Sequence, residues 1–300
     1  MDPVTHALSG MVAASTGIRP RLGNATTSAL VVGAVFPDID FTLTAINSTF
    51  YLSYHRGLTH SIFGAPLFAL ALAGILRLSL RRGNFWLMVL LATLGMYTHV
   101  FLDLITSFGT QLFTPFSNTR YSLDLVFLVD PFLSLTLGVP LLMVAFLPVR
   151  KSVYVARLAP ILASLYIIFA AWGHGVALEK FKTALAERGI KPTQVAAIPG
   201  LGSPFRWLGL GPGDTFAWNG LAHDEEKIYR ASVRVLEEKP PDIRVIPQHT
   251  NSRYEKIAAN FEEVKLFLWF ARFPQASYYK DGNNHVVEYF DHRFNLFPNR

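Results

Sequence analysis

Phe85-Trp86-Leu87-Met88-Val89-Leu90-Leu91-Ala92-Thr93-Leu94-Gly95-Met96-Tyr97-Thr98-His99-Val100-Phe101-Leu102-Asp103-Leu104-Ile105 decides the class of fold. The run is apolar at nearly every position and, wound as a helix, about 30 Å long, which is the thickness of a bilayer's hydrocarbon core. Its last two turns nevertheless hold His99 and Asp103. Four residues apart, they share one helical face, where an imidazole and a carboxylate can grip one ion or bond to each other. Ionisable groups at membrane depth are costly and suggest function. The stretch therefore predicts a membrane bundle with a polar site near one end.

Two further runs on its C-terminal side, Leu125–Leu147 and Leu158–Leu178, read as spans, as does Ser61–Leu80 with Arg77 near its end. Val4–Ile18 and Ala25–Phe36 are shorter and read as half-buried or re-entrant helices. The expected fold is a membrane α-helical bundle over residues 1–178, with four clear spans plus two short N-terminal helical segments. Composition agrees: 51% of residues are hydrophobic and 16% charged, against about 25% charged in soluble domains. Arg19 and Arg21, then Arg77, Arg81 and Arg82, then Arg150, Lys151 and Arg157 mark alternate turns, which the positive-inside rule makes cytoplasmic. Turns 38–60 and 106–124, and everything beyond residue 178, then fall on the outer face. From Glu179 charged residues return, and Ile228–Val235, Val264–Phe270 and His285–Tyr289 read as strands, with Pro199–Asp214 as a linking loop. Residues 179–300 are expected to form a small C-terminal α+β domain.

The net charge of +6 does not imply nucleic acid, because the basic residues sit in short clusters beside apolar runs. There is no cysteine, so a metal must be held by His, Asp or Glu. His6 opens the first segment and Pro37-Asp38-Ile39-Asp40 closes the second. In an extended turn Asp38 and Asp40 point to opposite sides, so one alone reaches a given ion, and Asp38 is the first candidate. In His55-Arg56-Gly57-Leu58-Thr59-His60-Ser61, two imidazoles flank a Gly-hinged turn, and Arg56 is a fixed cation able to hold an anionic oxygen. Because the chain alternates direction, all these groups converge on one end of the bundle. Asp130-Pro131 reads as an N-cap followed by a first-turn proline. His174 reads as a bundle histidine, and His223, His249, His285 and His292 as surface groups without ligand spacing. Gly-x-Ser-x-Gly and His-Glu-x-x-His are both missing, which disfavours serine hydrolases and zincins.

Taken in order, Thr5-His6-Ala7-Leu8-Ser9-Gly10, Pro37-Asp38-Ile39-Asp40, the His55–Ser61 motif and His99 with Asp103 closely resemble the YdjM-like family, described as LexA-binding, inner-membrane, metal-dependent hydrolases. Phe108-Gly109-Thr110, Pro115-Phe116-Ser117, Arg120 and Asp130-Pro131 extend that resemblance over most of residues 1–135. A weaker likeness is to zinc-dependent phospholipase C and related helical zinc nucleases. The later His-x-x-x-Glu pair of those enzymes has no clear counterpart here, which points to one or two ions rather than three.

The resemblance implies a multi-pass protein of the inner membrane in which His6, Asp38, His55, His60, His99 and Asp103 hold one or two divalent ions, zinc or else manganese. In that reading Arg56 and Arg120 neutralise substrate charge and Asp40 acts as general base. A site at the membrane face suits a phosphoester of a lipid or lipid-linked substrate. The rival is a non-catalytic membrane protein with a structural metal site that binds a protein partner.

Overall fold

The computed structural model describes residues 1–200, 217–250 and 252–294. It divides into two compact units, Met1–Phe169 and Ala170–Arg300.

In the first unit, α1 (Pro3–Ala13) starts where Asp2 accepts from the Thr5 amide and Pro3 takes a position whose missing N–H costs nothing. A π turn (Ala14–Ile18) and a short turn (Arg19–Leu22) lead to α2 (Asn24–Val35), which runs on as a 3-10 helix over Phe36–Ala45. Next come α3 (Ser48–Tyr54), a 3-10 turn (Leu58–His60), α4 (Gly64–Leu80), α5 (Phe85–Leu104), α6 (Pro131–Val144) and the long α7 (Val149–Glu187). Asn47, Asn84 and Asp130 cap the helices that follow them.

Among the described residues three helices are long and apolar enough to cross a bilayer: Asn24–Ala45, Phe85–Leu104 and Lys151–Glu187. Ser48–His60 and Gly64–Leu80 make a fourth only if counted as one span broken by a 79° bend. The four-span expectation is corrected in two places. The second short segment does not stop at Phe36, because Pro37 enters a new 3-10 helix near its start, where proline is tolerated, and the helical run reaches Ala45. Leu125–Leu147 is not one span. Asp130-Pro131 starts α6 late, and the residues before it hang on the end of α5, Leu125 and Val126 both donating to the Ile105 carbonyl at 2.8 and 3.1 Å. The resulting 14-residue helix is about 21 Å long, too short for a hydrocarbon core of about 30 Å.

Small residues set the spacing of α2 and α5. A Cβ on Gly33 would lie 2.5 Å from the Ala92 carbonyl oxygen, and one on Gly95 would lie 2.3 Å from that of Leu30. Only glycine permits this approach, the usual device for helices packing where lipid supplies no hydrophobic drive. Ala29, Leu30, Ala69, Met88, Ala92 and Met96 fill the surrounding core.

The second unit holds an antiparallel meander, β1 (Gln194–Pro199), β2 (Ala217–His223), β3 (Lys227–Arg234) and β4 (Arg244–Pro247), ordered as in sequence. Ala177, Phe181 and Leu185 from the end of α7 pack on Trp218, Tyr229 and Val233. Beyond lie α8 (Arg253–Ala258), α9 (Glu262–Phe270) and a hairpin of β5 (Pro274–Asp281) and β6 (Asn284–Asp291). The strand expected over Val264–Phe270 is therefore a helix. Glu262 and Glu263 occupy its first turn, where negative charge favours the helix dipole. Of the linking loop expected over Pro199–Asp214, Pro199 ends β1 and residues 201–214 lie outside the described residues.

Candidate metal centre

Four elements bring their ends to one level of the bundle. The 3-10 helix after α2 carries Asp38, the turn before α4 carries His60, and the last turns of α5 carry His99 and Asp103. α1 enters at the same level with His6. The turn into α4 is tight enough that a Cβ on Gly64 would lie 1.9 Å from the Leu58 carbonyl oxygen.

One atom from each of Asp38, His60, His99 and Asp103 lies within 4.8 Å of the other three. Nε2 of His60 is 3.1 Å from Nε2 of His99, 3.1 Å from Asp103 Oδ2 and 3.7 Å from Asp38 Oδ1. Nε2 of His99 is 3.5 Å from Asp38 Oδ1 and 3.5 Å from Asp103 Oδ2.

The second ring nitrogens fix the tautomers. Nδ1 of His99 lies 2.8 Å from the Ala34 carbonyl oxygen, which only accepts, so Nδ1 carries the proton. Nδ1 of His60 is 3.2 Å from Asp40 Oδ2 and 2.9 Å from Thr59 Oγ1, whose own hydroxyl donates to Asp40 Oδ2 at 2.9 Å. In its neutral form each imidazole aims an Nε2 lone pair at the other and at two carboxylate oxygens. Four mutually repelling acceptors at such distances need protons or a cation between them. A tetrahedral zinc site with arms of about 2.0–2.1 Å has ligand atoms about 3.3–3.4 Å apart, and the five separations above bracket that value. The residues therefore fit a divalent ion. His60, His99 and Asp103 are fully buried, while the Asp38 side chain is 20% exposed, so the cluster opens to its surroundings at Asp38.

Around the four atoms lies an orienting layer. Asp40 accepts from Nδ1 of His55 at 2.7 Å and from the Arg56 amide at 3.0 Å, in addition to its contacts with Thr59 and His60. Arg56, with φ of +58°, sends Nη2 to Asp103 Oδ1 at 2.8 Å and Nη1 to Thr106 Oγ1 at 3.1 Å, with its guanidinium 4.7 Å from the Phe108 ring centre. The Met1 amine also meets Asp103 Oδ1.

Not all candidate residues enter the four-atom set. His6 stacks on His99 with ring centres 3.5 Å apart, and its Nε2 is 3.3 Å from Asp103 Oδ1. Among the described residues neither ring nitrogen of His6 has a partner in good hydrogen-bond geometry, the Asp103 contact included. His55 is turned towards Asp40 and stacks on Tyr51. Arg120 donates to the carbonyls of Gly109, Leu52 and His55, bracing the loop rather than lining the cluster. Thr59, Thr106, Phe108 and the Ala34 carbonyl were not foreseen as functional. Thr59 and Phe108 lie inside quoted motifs, but a backbone carbonyl has no sequence signal.

Elsewhere, Asp130 accepts from the amides of Phe132 and Leu133 and from the Tyr166 hydroxyl, and so is a cap. His174 packs edge-on to Trp218, and His249 donates to Glu255 at 2.6 Å.

Residues 1–176, which contain the whole centre, match the family model described as YdjM inner membrane protein. The chain belongs to the YdjM inner membrane protein family. It is also similar to the uncharacterized protein YfhP of Bacillus subtilis (strain 168), at 34% identity over 143 residues, covering 44% of this chain. That match spans 43% of YfhP, so less than half of the relative's length is represented. No solved structure matches the chain. Family membership and the apolar helices together make this a membrane protein, with a buried Asp/His group able to hold a metal ion.

Proposed function

We propose that the chain is a multi-pass inner-membrane, metal-dependent hydrolase acting on a phosphoester of a lipid or lipid-linked substrate. The observation that supports it is the convergence of Asp38 Oδ1, His60 Nε2, His99 Nε2 and Asp103 Oδ2, four acceptor atoms with no donor among them at the neutral imidazole tautomers. Two nitrogens and two oxygens suit zinc, with manganese the alternative. When bound, such an ion supplies Lewis acidity, acidifying water and polarising a phosphoryl oxygen.

The chain's own residues do the rest. The Ala34 carbonyl and Asp40 hold the two imidazoles in register, as carboxylates and carbonyls do behind metal-binding histidines. Arg56 fixes Asp103 through Oδ1 and leaves Oδ2 for the centre. Phe108 covers the Arg56 guanidinium. Substrate approaches from the Asp38 side, where the cluster is exposed.

Elemental mass spectrometry of the detergent-purified protein tests the first half of this reading. One zinc or manganese per chain is expected, and a folded His60→Ala/His99→Ala variant should lose it. Phosphate or headgroup release from a panel of lipid phosphoesters in mixed micelles tests the second half. Metal-free protein after reconstitution with both ions would sink the proposal. A second reading, a structural metal site in a partner-binding protein, is favoured by the four protein donors, since catalytic centres keep a position open. Bound metal without hydrolysis of any lipid phosphoester would select it.

A further inference from the structure

We infer that the segments bordering the metal centre, residues 39–63 and 112–123, are not water-exposed loops but lie immersed in the headgroup–acyl boundary of the bilayer. Three independent observations carry this.

The first is direction. Ser48–His60 is bent by 79° from Gly64–Leu80. If α4 stands near the membrane normal, the preceding segment lies almost flat in the membrane plane.

The second is surface chemistry. Ile39, Phe41, Phe50 and Tyr54 are 44–59% exposed, Phe63 is 47% exposed and Phe116 is 79% exposed. Among the described residues of both segments no charged side chain is exposed: Asp40 and Arg56 are buried and Arg120 is half-buried. A water-facing surface of this size normally carries charges, and contiguous apolar patches on it are uncommon. The turns at the other end of the bundle differ, with Arg19, Arg21, Arg81 and Arg82 all exposed.

The third is hydrogen bonding. Three hydroxyls within residues 39–63 bond to the chain's own carbonyls. Thr42 donates to the Ile39 carbonyl at 2.7 Å, Thr44 to that of Phe41 at 2.8 Å and Ser53 to that of Thr49 at 2.8 Å. Internal satisfaction of polar groups is what a lipid environment demands.

The occupant of this surface is therefore lipid, continuous with the lipid around the spanning helices. An interfacial segment of this kind buries its apolar face about 5–10 Å into the boundary. The exposed edge of the centre at Asp38, next to Ile39 and Phe41, then faces the membrane interior edge, so an amphiphile reaches it sideways within the leaflet. The immersion does not depend on whether the centre hydrolyses anything.

The chain lacks cysteine, so single-cysteine variants can be labelled cleanly. Phe41→Cys, Phe50→Cys and Phe116→Cys, each with a nitroxide, are to be compared in full-length protein reconstituted in phosphatidylglycerol/phosphatidylethanolamine vesicles. Leu67→Cys, 69% exposed on α4, and exposed Arg81→Cys serve as lipid and water references. All five sites are at the surface and should leave the fold intact, which the melting temperature checks. The expected result is that the three test labels relax with oxygen rather than with a water-soluble nickel chelate, as the Leu67 label does. Nickel accessibility equal to that of the Arg81 label would overturn the inference. So would protection from both relaxants, which would mean that protein covers the surface.

Discussion

Asp40→Asn separates two roles that one carboxylate can play near this centre. As a general base Asp40 would change rates and leave metal affinity untouched. In the structure it is instead the common acceptor of His55 Nδ1, the Arg56 amide, Thr59 Oγ1 and His60 Nδ1. An asparagine has one acceptor oxygen, so it best serves the three donors around Oδ2 and turns its amide towards His55. His60 then loses the charge behind its ring. Changes in the layer behind a metal ligand typically cost 10- to 100-fold in affinity, or about 1.4–2.7 kcal/mol at about 1.36 kcal/mol per decade. Competition for zinc against a chelator in micelles measures this directly, with the metal-free melting temperature reporting on the fold. Unchanged affinity would refute the orienting role. Complete loss of metal, as in His60→Ala, would put Asp40 among the ligands and refute the four-atom assignment.

Gly95→Ala should force α2 and α5 apart and weaken the His99 bond to the Ala34 carbonyl, at a cost of about 1–3 kcal/mol typical of overpacking. Gly74→Ala on α4, with nothing within 4 Å of its Cβ, should be neutral or stabilising by about 0.5–1 kcal/mol, and thermal melts compare the two. His6→Asn should retain one ion per chain by elemental analysis, because His6 lies outside the four-atom set; loss of an ion would establish a second position at His6 and Asp103 Oδ1. Burial, with the Arg230 charge adding to it, lowers the His292 pKa to about 4 from 6.5. The unfolded chain then takes up a proton that the folded state refuses, so stability is full above pH 6.5 and falls as pH drops towards 4, by about 3 kcal/mol. His292→Gln should flatten that limb in acid melts followed by sheet circular dichroism.

How much was legible in the sequence follows from what each signal measures. Apolar length identifies Phe85–Leu104 because nothing interrupts it, and it misjudges Leu125–Leu147 because hydropathy is blind to where a cap starts the helix. The Asp130-Pro131 pair was readable as that cap, and taken seriously it shortens the span. Val264–Phe270 alternates weakly enough to suit strand or helix, and its two leading glutamates decide for helix. The site was readable because few ionisable residues occur in the apolar half, and because His99 and Asp103 share a face. The division between ligand and support was not, since it depends on which nitrogen meets which oxygen. Asp38 and Asp40 lie two positions apart in a 3-10 helix, and only their partners separate them.

The net charge of the centre limits what it can hold. Asp38, Asp40 and Asp103 bring three negative charges, and Arg56 is the one fixed positive side chain paired with them among the described residues. The Met1 amine at Asp103 Oδ1 offsets part of the remaining negative charge, in a setting where an unbalanced charge is expensive. A cation between the four acceptors offsets what is left and also relieves the contact between the two Nε2 atoms. Among the four residues Asp38 alone is partly exposed, so the centre is approached from its side. The glycine contacts between α2 and α5 then acquire a second meaning: they bring the Ala34 carbonyl close enough to fix His99, so the packing that holds the helices together also sets the donor geometry. A change that loosens the bundle should therefore weaken the centre in proportion, and a bound ion should hold the bundle closed.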